Sequence, residues 1–182
     1  AEFAPFARVL HVDADAYEIG KLRTADIAVP GDVGASLKAL TAARSTCDEW
    51  RKRCAGNRER FGFRYDAPGT DIYAPGLLKR LSEVAPADAI VACDVGQHQM
   101  WVAQHMRFTS PRNHLSSAGL GTMGFGLPAA IGAKMSRPDD EVVLVSGDGS
   151  FMMNVQELGT IRRAQLKVKM VLIDNQRLGM VR

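Results

Sequence analysis

Two residues late in the chain carry side chains suited to a hard cation. Asp148 lies in Gly147-Asp148-Gly149-Ser150, and Asn175 lies in Asp174-Asn175-Gln176-Arg177-Leu178-Gly179. Each motif follows an apolar run, residues 141–146 and 168–173, that reads as a strand ending there. One helix and one strand fill the gap between them. A right-handed crossover of that length brings the second strand end beside the first. A carboxylate and a carboxamide would then reach one cation, with a loop carbonyl as third ligand. Mg²⁺ suits so small a set, because it takes the rest of its shell from water and phosphate. Gly147 and Gly149 allow close backbone approach, and a helix opening at this point offers free N–H groups and a positive dipole end to phosphate. Alone, Gly-Asp-Gly after a strand is more often a plain turn, and Asp-Asn alone reads as a turn too. Together, at this separation, they read as a Mg²⁺-diphosphate cofactor site.

Two further loops share that logic. Asp94-Val95-Gly96-Gln97-His98 follows the apolar run 89–93, and Gly119-Leu120-Gly121-Thr122-Met123-Gly124 follows a short strand at 113–116. In an open parallel α/β sheet the carboxyl ends of the strands share one edge, and ligands bind in the crevice there. All four loops would face one site. His98 is either a diphosphate donor at a helix start or a hydrogen-bonded polar residue at a helix end. His105 and His114 carry no partner signal and read as structural.

The elements that must hold these loops alternate. Helical spacing marks 73–84, 97–106, 125–135 and 151–164. The third of these is rich in small residues (Gly126, Ala129, Ala130, Gly132, Ala133) that permit close packing. The run 141–146 is apolar almost throughout, as a strand covered on both faces should be. Upstream, 7–13 and 26–29 read as strands, 16–22 as a short helix, and Asp32 as the cap of a helix running to about Ala43. The order strand-helix-strand-helix implies parallel pairing. The stretch from Arg44 to Gly69 is charged, with a weak stripe of Trp50, Cys54 and Phe61. It reads as a surface helix and linker, its charges a solvated face rather than a binding patch. The fold class is α/β: a doubly wound parallel sheet over 72–182, preceded by a linker at 44–71 and the end of a Rossmann-like α/β domain at 1–43.

Composition narrows the field. The 182 residues are 46% hydrophobic with a formal charge of +3. That suits a globular chain with a core. No basic run interleaved with aromatics points to nucleic acid. No apolar stretch approaches the roughly 20 residues of a membrane span. Cys47, Cys54 and Cys93 form no CxxC pair and read as free thiols of a reducing cytoplasm. Both ends look cut, which predicts a piece of a longer polypeptide.

The stretches 96–101, 119–128, 147–159 and 174–181, in that order, closely resemble the catalytic large subunit of the acetolactate synthase (acetohydroxyacid synthase) family, which depends on thiamine diphosphate (ThDP). The resemblance covers nearly the whole chain and is strongest from Ile72 onward. It implies that Asp148, Asn175 and the Arg177 carbonyl hold Mg²⁺. Gly147, Gly149, Ser150 and the loop Val95, Gly96, Gln97 and His98 would contact the diphosphate. Gly121 and Met123 would bind the aminopyrimidine, with the Met123 side chain wedged between the cofactor rings. Met153 and Met180 would pack around the cofactor, with Leu178 and Gly179 beside them. Without the resemblance, each Met reads as core filling.

The N-terminal piece resembles the end of the family's FAD-binding domain, through Asp13 and the Gly31-Asp32 pair. The residues alone equally allow helix caps at Asp15 or Asp32. The implied activity is decarboxylation of pyruvate followed by carboligation to pyruvate or 2-oxobutyrate, in branched-chain amino-acid biosynthesis. The implied assembly is a homodimer or tetramer with a possible regulatory small subunit. The family's catalytic glutamate lies in an N-terminal domain outside this sequence, so no catalytic residue is assigned here. Another ThDP-dependent decarboxylase or carboligase, of pyruvate oxidase or glyoxylate carboligase type, and a non-catalytic cofactor-binding fragment are the alternatives.

Overall fold

A computed structural model describes residues 4–41, 46–66, 69 and 71–181. The chain divides into two compact units between Gly62 and Phe63.

In the first unit, strands β1 (Leu10–Asp13) and β2 (Ile27–Pro30) pair in parallel, with Asp13 opposite Pro30. Helix α1 (Val33–Leu40) starts on Asp32, whose carboxylate accepts a 2.7 Å bond from the Ala35 N–H. The expected helix end near Ala43 lies outside the described residues. The helix expected over 16–22 does not form; residues 14–23 are turns and bends. The reason is local. Asp13 and Asp15 accept from the N–H groups of Asp15 and Tyr17 at 2.8 and 2.9 Å. Such side-chain bonds compete with helix formation, and Gly20 at φ +84° would end any turn that began. Helix α2 (Asp48–Arg60) buries none of its residues, as its charge run predicts.

The second unit begins with α3 (Ala74–Val84), which has Pro75 in its first turn, where a missing N–H costs nothing. There follow β3 (Ile90–Cys93), α4 (Gln97–His105), β4 (His114–Ser116), α5 (Gly126–Ser136) and β5 (Val142–Gly147). Next come α6 (Asp148–Met153), a 3₁₀ turn at Val155–Glu157, α7 (Leu158–Ala164) and β6 (Lys169–Ile173). All strand pairs are parallel, in the order β4-β3-β5-β6. The chain therefore leaves β3 toward one edge and β5 toward the other. This divergence opens a crevice above the carboxyl ends of β3 and β5.

The core explains the strand composition. Successive side chains of a strand point to opposite faces. Val91, Cys93, Val143 and Val145 pack on one face with Leu78, Val102 and Met106, which come from α3, α4 and the residue after it. Ile90, Ala92, Val142 and Leu144 pack on the other with Leu127, Ala130 and Ile131 of α5. Covered on both faces, β3 and β5 are apolar up to Val145; the buried Ser146 that follows satisfies its hydroxyl on the Gly147 carbonyl at 3.1 Å. Each fully buried leucine, such as Leu78 or Leu144, stabilises the unit by about 1.5–3 kcal/mol. At the sheet edge β6 is only partly covered, with Leu172 half exposed.

The single helix expected over 151–164 is instead two. It starts at Asp148, breaks at Asn154 (φ −131°, ψ 26°) and resumes at Leu158. The Asn154 amide donates a 2.7 Å bond to the Gly124 carbonyl, a tertiary contact that outweighs local helical continuity. Among the described residues no helix is long and apolar enough to cross a membrane.

Candidate functional site

The crevice between β3 and β5 is a cavity of about 230 Å³. Residues of all four loop motifs line it. From the β3 loop come Val95, Gly96, Gln97 and His98. From the third loop come Gly121 and Met123, and from the β5 loop Gly147, Asp148, Gly149 and Ser150. The loop after β6 adds Asn175, Arg177, Leu178, Gly179 and Met180.

Sheet register produces this convergence. Gly147 stands opposite Ile173, so Asp148 and Asn175 leave paired strand ends on one edge. Asp148 is half-buried and opens α6, and its carboxylate makes no hydrogen bond or ion pair among the described residues. Asn175 is held on both sides: its Nδ2 donates to Gln97 Oε1 at 2.9 Å, and its Oδ1 accepts from the Arg177 N–H at 3.2 Å. A carboxamide oxygen has two lone pairs, so one remains for a cation. Among the described residues no three His, Cys, Asp or Glu side chains are grouped so as to hold a metal ion. The donors here are one carboxylate, one carboxamide and main-chain carbonyls. They are hard and few, the set Mg²⁺ accepts when phosphate completes its shell.

His98 sits between two loops. It is 4% exposed. A Cβ at Gly96 would lie 2.7 Å from its Cε1, and one at Gly147 would lie 2.9 Å from its Nδ1. Gly96, at φ +155°, also has a backbone conformation that side chains rarely adopt. Glycine on both sides is what lets the imidazole fill this slot. Burial pushes its pKa below the ordinary histidine value, with the negative charges of Asp94 and Asp148 opposing the shift only partly. The ring is thus neutral at pH 7. Its Nε2 is buried with no hydrogen-bond partner among the described residues. A buried polar atom left unpaired costs about 1–3 kcal/mol. The first N–H groups of α4 and α6, at Gln97 and Asp148 beside the cavity, lack intrahelical partners, so the cavity fits an anionic group.

The opposite wall is apolar. Leu178 Cδ2 stands 2.9 Å, and Met123 Cε 3.7 Å, from where a Gly149 Cβ would be. Any side chain at 149 would displace that wall. Met180 completes it.

Three assigned residues are not among those lining the cavity. Met153 does not line the cavity; it is 54% exposed, and its Cβ lies behind Gly124. Asp13 and Asp32 belong to the first unit, where their carboxylates serve a turn and a helix cap. Conversely, Trp101, Ile173 and Val181 line the cavity without having been picked from sequence. Trp101 lies one helical turn beyond Gln97 on α4, a periodicity signal that would have found it. Ile173 is the last strand residue and faces the site through its pleat.

Comparison with known proteins agrees with this geometry. Residues 94–182 match the family described as thiamine pyrophosphate enzyme, C-terminal TPP binding domain. Over 99% of its length the chain is 59% identical to the acetolactate synthase isozyme 2 large subunit of Escherichia coli (strain K12), of which it covers 33%. It is 47% identical over 99% of its length to the acetolactate synthase large subunit of Parasynechococcus marenigrum (strain WH8102), covering 30% of that protein. It is 44% identical over 98% of its length to the chloroplastic acetolactate synthase of Arabidopsis thaliana, covering 28%. The chain thus spans about a third of the length of the curated relatives it matches.

Proposed function

We propose that this chain, a member of the acetolactate synthase large-subunit family of thiamine pyrophosphate enzymes, supplies the diphosphate and metal half of a ThDP site. The whole protein, on this reading, is a transferase that decarboxylates pyruvate and joins the two-carbon fragment to pyruvate or 2-oxobutyrate, in branched-chain amino-acid biosynthesis. The observation that carries the reading is the one cavity lined by Asp148, Asn175 and His98.

When bound, ThDP supplies a nucleophilic carbon and an electron sink for decarboxylation. The residues of this chain bind and orient. Asp148, Asn175 and the Arg177 carbonyl would hold Mg²⁺ against the diphosphate. Gly96 and Gln97, with the start of α6 at Gly149 and Ser150, would offer backbone N–H groups to its oxygens, and His98 would contact it from the β3 loop. Gly121 and Met123 would take the aminopyrimidine, with the Met123 side chain setting the angle between the rings. Leu178, Met180 and Trp101 would exclude water. Proton transfer on the pyrimidine falls to a glutamate supplied from elsewhere in the assembly.

Residues 72–182 form the ThDP-binding domain in this reading, with 44–71 a linker and 1–43 the end of an FAD-binding domain carrying Asp13 and Asp32. The flavin would have a structural rather than a redox role. A cytoplasmic homodimer or tetramer, with a regulatory small subunit, is the implied assembly.

Product analysis tests the proposal. The full-length protein incubated with pyruvate, ThDP and Mg²⁺ should yield acetolactate. Acetaldehyde or acetyl phosphate as the product instead would assign it to another ThDP decarboxylase or oxidase.

A further inference from the structure

Asp94 is fully buried. It has no cationic partner in any ion pair among the described residues. Its charge is instead shared among backbone N–H groups. Oδ1 accepts from Val95 at 2.8 Å and from Gly124 at 2.9 Å, and Oδ2 accepts from Gly126 at 2.9 Å, at the N-terminus of α5. Three charge-assisted bonds and a helix dipole are a sufficient counterpart for a buried carboxylate.

The bonds continue past Asp94. The Val95 carbonyl accepts from Ser150 Oγ at 2.5 Å. Ser150 and Asn154 flank one turn of α6, and the Asn154 amide returns to the Gly124 carbonyl at 2.7 Å. The circuit runs Asp94, Val95, Ser150, Asn154, Gly124 and back to Asp94. It passes once through each of three loops that line the cavity. Gly124 closes it at φ +85°, where a Cβ would stand 2.8 Å from Asn154 Nδ2.

We infer that Asp94 and Asn154 are positioning residues for the cofactor. Their circuit of hydrogen bonds, closed through the backbone of α6 between Ser150 and Asn154, fixes the spacing between the loop carrying Met123 and the loops carrying His98 and Asp148 before ligand arrives. Neither side chain lines the cavity. They act through backbone that does, so their effect falls on cofactor affinity rather than on 2-oxo acid recognition. A preformed site avoids ordering three loops at the moment of binding. The inference rests on the ThDP reading above.

The test uses the full-length protein freed of cofactor, with ThDP binding measured by calorimetry at saturating Mg²⁺. Asp94→Asn replaces one accepting oxygen with a donor facing an N–H. Asn154→Ala, at a half-buried position, removes the return bond and keeps the test open if the first variant does not fold. Each should weaken ThDP binding at least ten-fold, while KM for pyruvate at saturating cofactor stays within two-fold. Asn154→Ala with Asp94→Asn should be no worse than the more severe single variant, since both open one circuit. Unchanged ThDP affinity in Asn154→Ala, even with reduced thermal stability, overturns the inference. If Asp148→Ala also binds ThDP normally, the cofactor reading itself has failed; if Asp148→Ala alone loses binding, only the circuit has.

Discussion

Asn175 Nδ2 donates to Gln97 Oε1 at 2.9 Å, joining the loop after β6 to the first residue of α4 across 78 positions of sequence. This bond decides which end of the Asn175 amide is free. With the nitrogen engaged, the oxygen is left for a cation. Outer contacts of this kind orient metal ligands. Gly179 is part of the same device, because a Cβ there would overlap the Gln97 carboxamide. Gly179→Ala should therefore displace Gln97 and raise several-fold the Mg²⁺ concentration that half-saturates ThDP binding. An unchanged Mg²⁺ dependence would argue that Gln97 does not orient Asn175.

Gly124→Ala should destabilise the protein. The residue sits at φ +85°, and its Cβ would meet Asn154 Nδ2 at 2.8 Å and Met153 Cβ at 3.1 Å. A non-glycine residue held in such a conformation costs about 1–3 kcal/mol. Urea unfolding would read the loss; a change below about 0.5 kcal/mol would show that the loop relaxes freely.

The convergence of the four loops on one cavity was legible because strand ends and glycine-rich starts leave a strong local pattern, and parallel topology dictates which edge they share. Asp148 and Asn175 needed only one helix and one strand between them to be placed together. The break at Asn154 was not legible: residues 151–164 keep helical spacing, and the bond that interrupts them comes from Gly124, thirty positions upstream. The helix expected over 16–22 failed for the opposite reason, a local competition by Asp13 and Asp15 that apolar periodicity does not register. Asp94 opens the loop after β3, yet its partners at Gly124 and Gly126 meet it only once α5 is docked.

Leu78 tests the core beneath the site. It is completely buried on α3 against Val91 and Val143. Leu78→Ala should cost about 2–5 kcal/mol, whereas Leu120→Ala, at a position 93% exposed, should stay within about 0.5 kcal/mol. Equal effects by thermal unfolding would contradict the assigned core.

Acid should weaken the fold through His105 and His114. Burial pushes both pKa values below the ordinary 6.5. His114 stacks on Phe108 at 4.4 Å with its Nε2 buried and unpaired, and His105 meets the Tyr65 hydroxyl at 3.1 Å. Below the unfolded value the unfolded chain binds more protons than the folded one. Their contribution to stability is therefore intact above about pH 6.5 and is lost as pH falls through the folded values. The thermal midpoint should drop on the acid side of 6.5, and less so in His114→Gln. The same acid slope in both proteins would contradict the assignment.

The most direct test of the cofactor site is ThDP titration of the full-length protein with and without Mg²⁺, comparing wild type with Asp148→Ala. The wild type should bind ThDP only when Mg²⁺ is present, and the variant should lose at least ten-fold in affinity, about 1.4 kcal/mol, together with its metal dependence. Metal-independent binding by the wild type, or a variant that binds as tightly as the wild type, would contradict a magnesium clamp at Asp148 and Asn175.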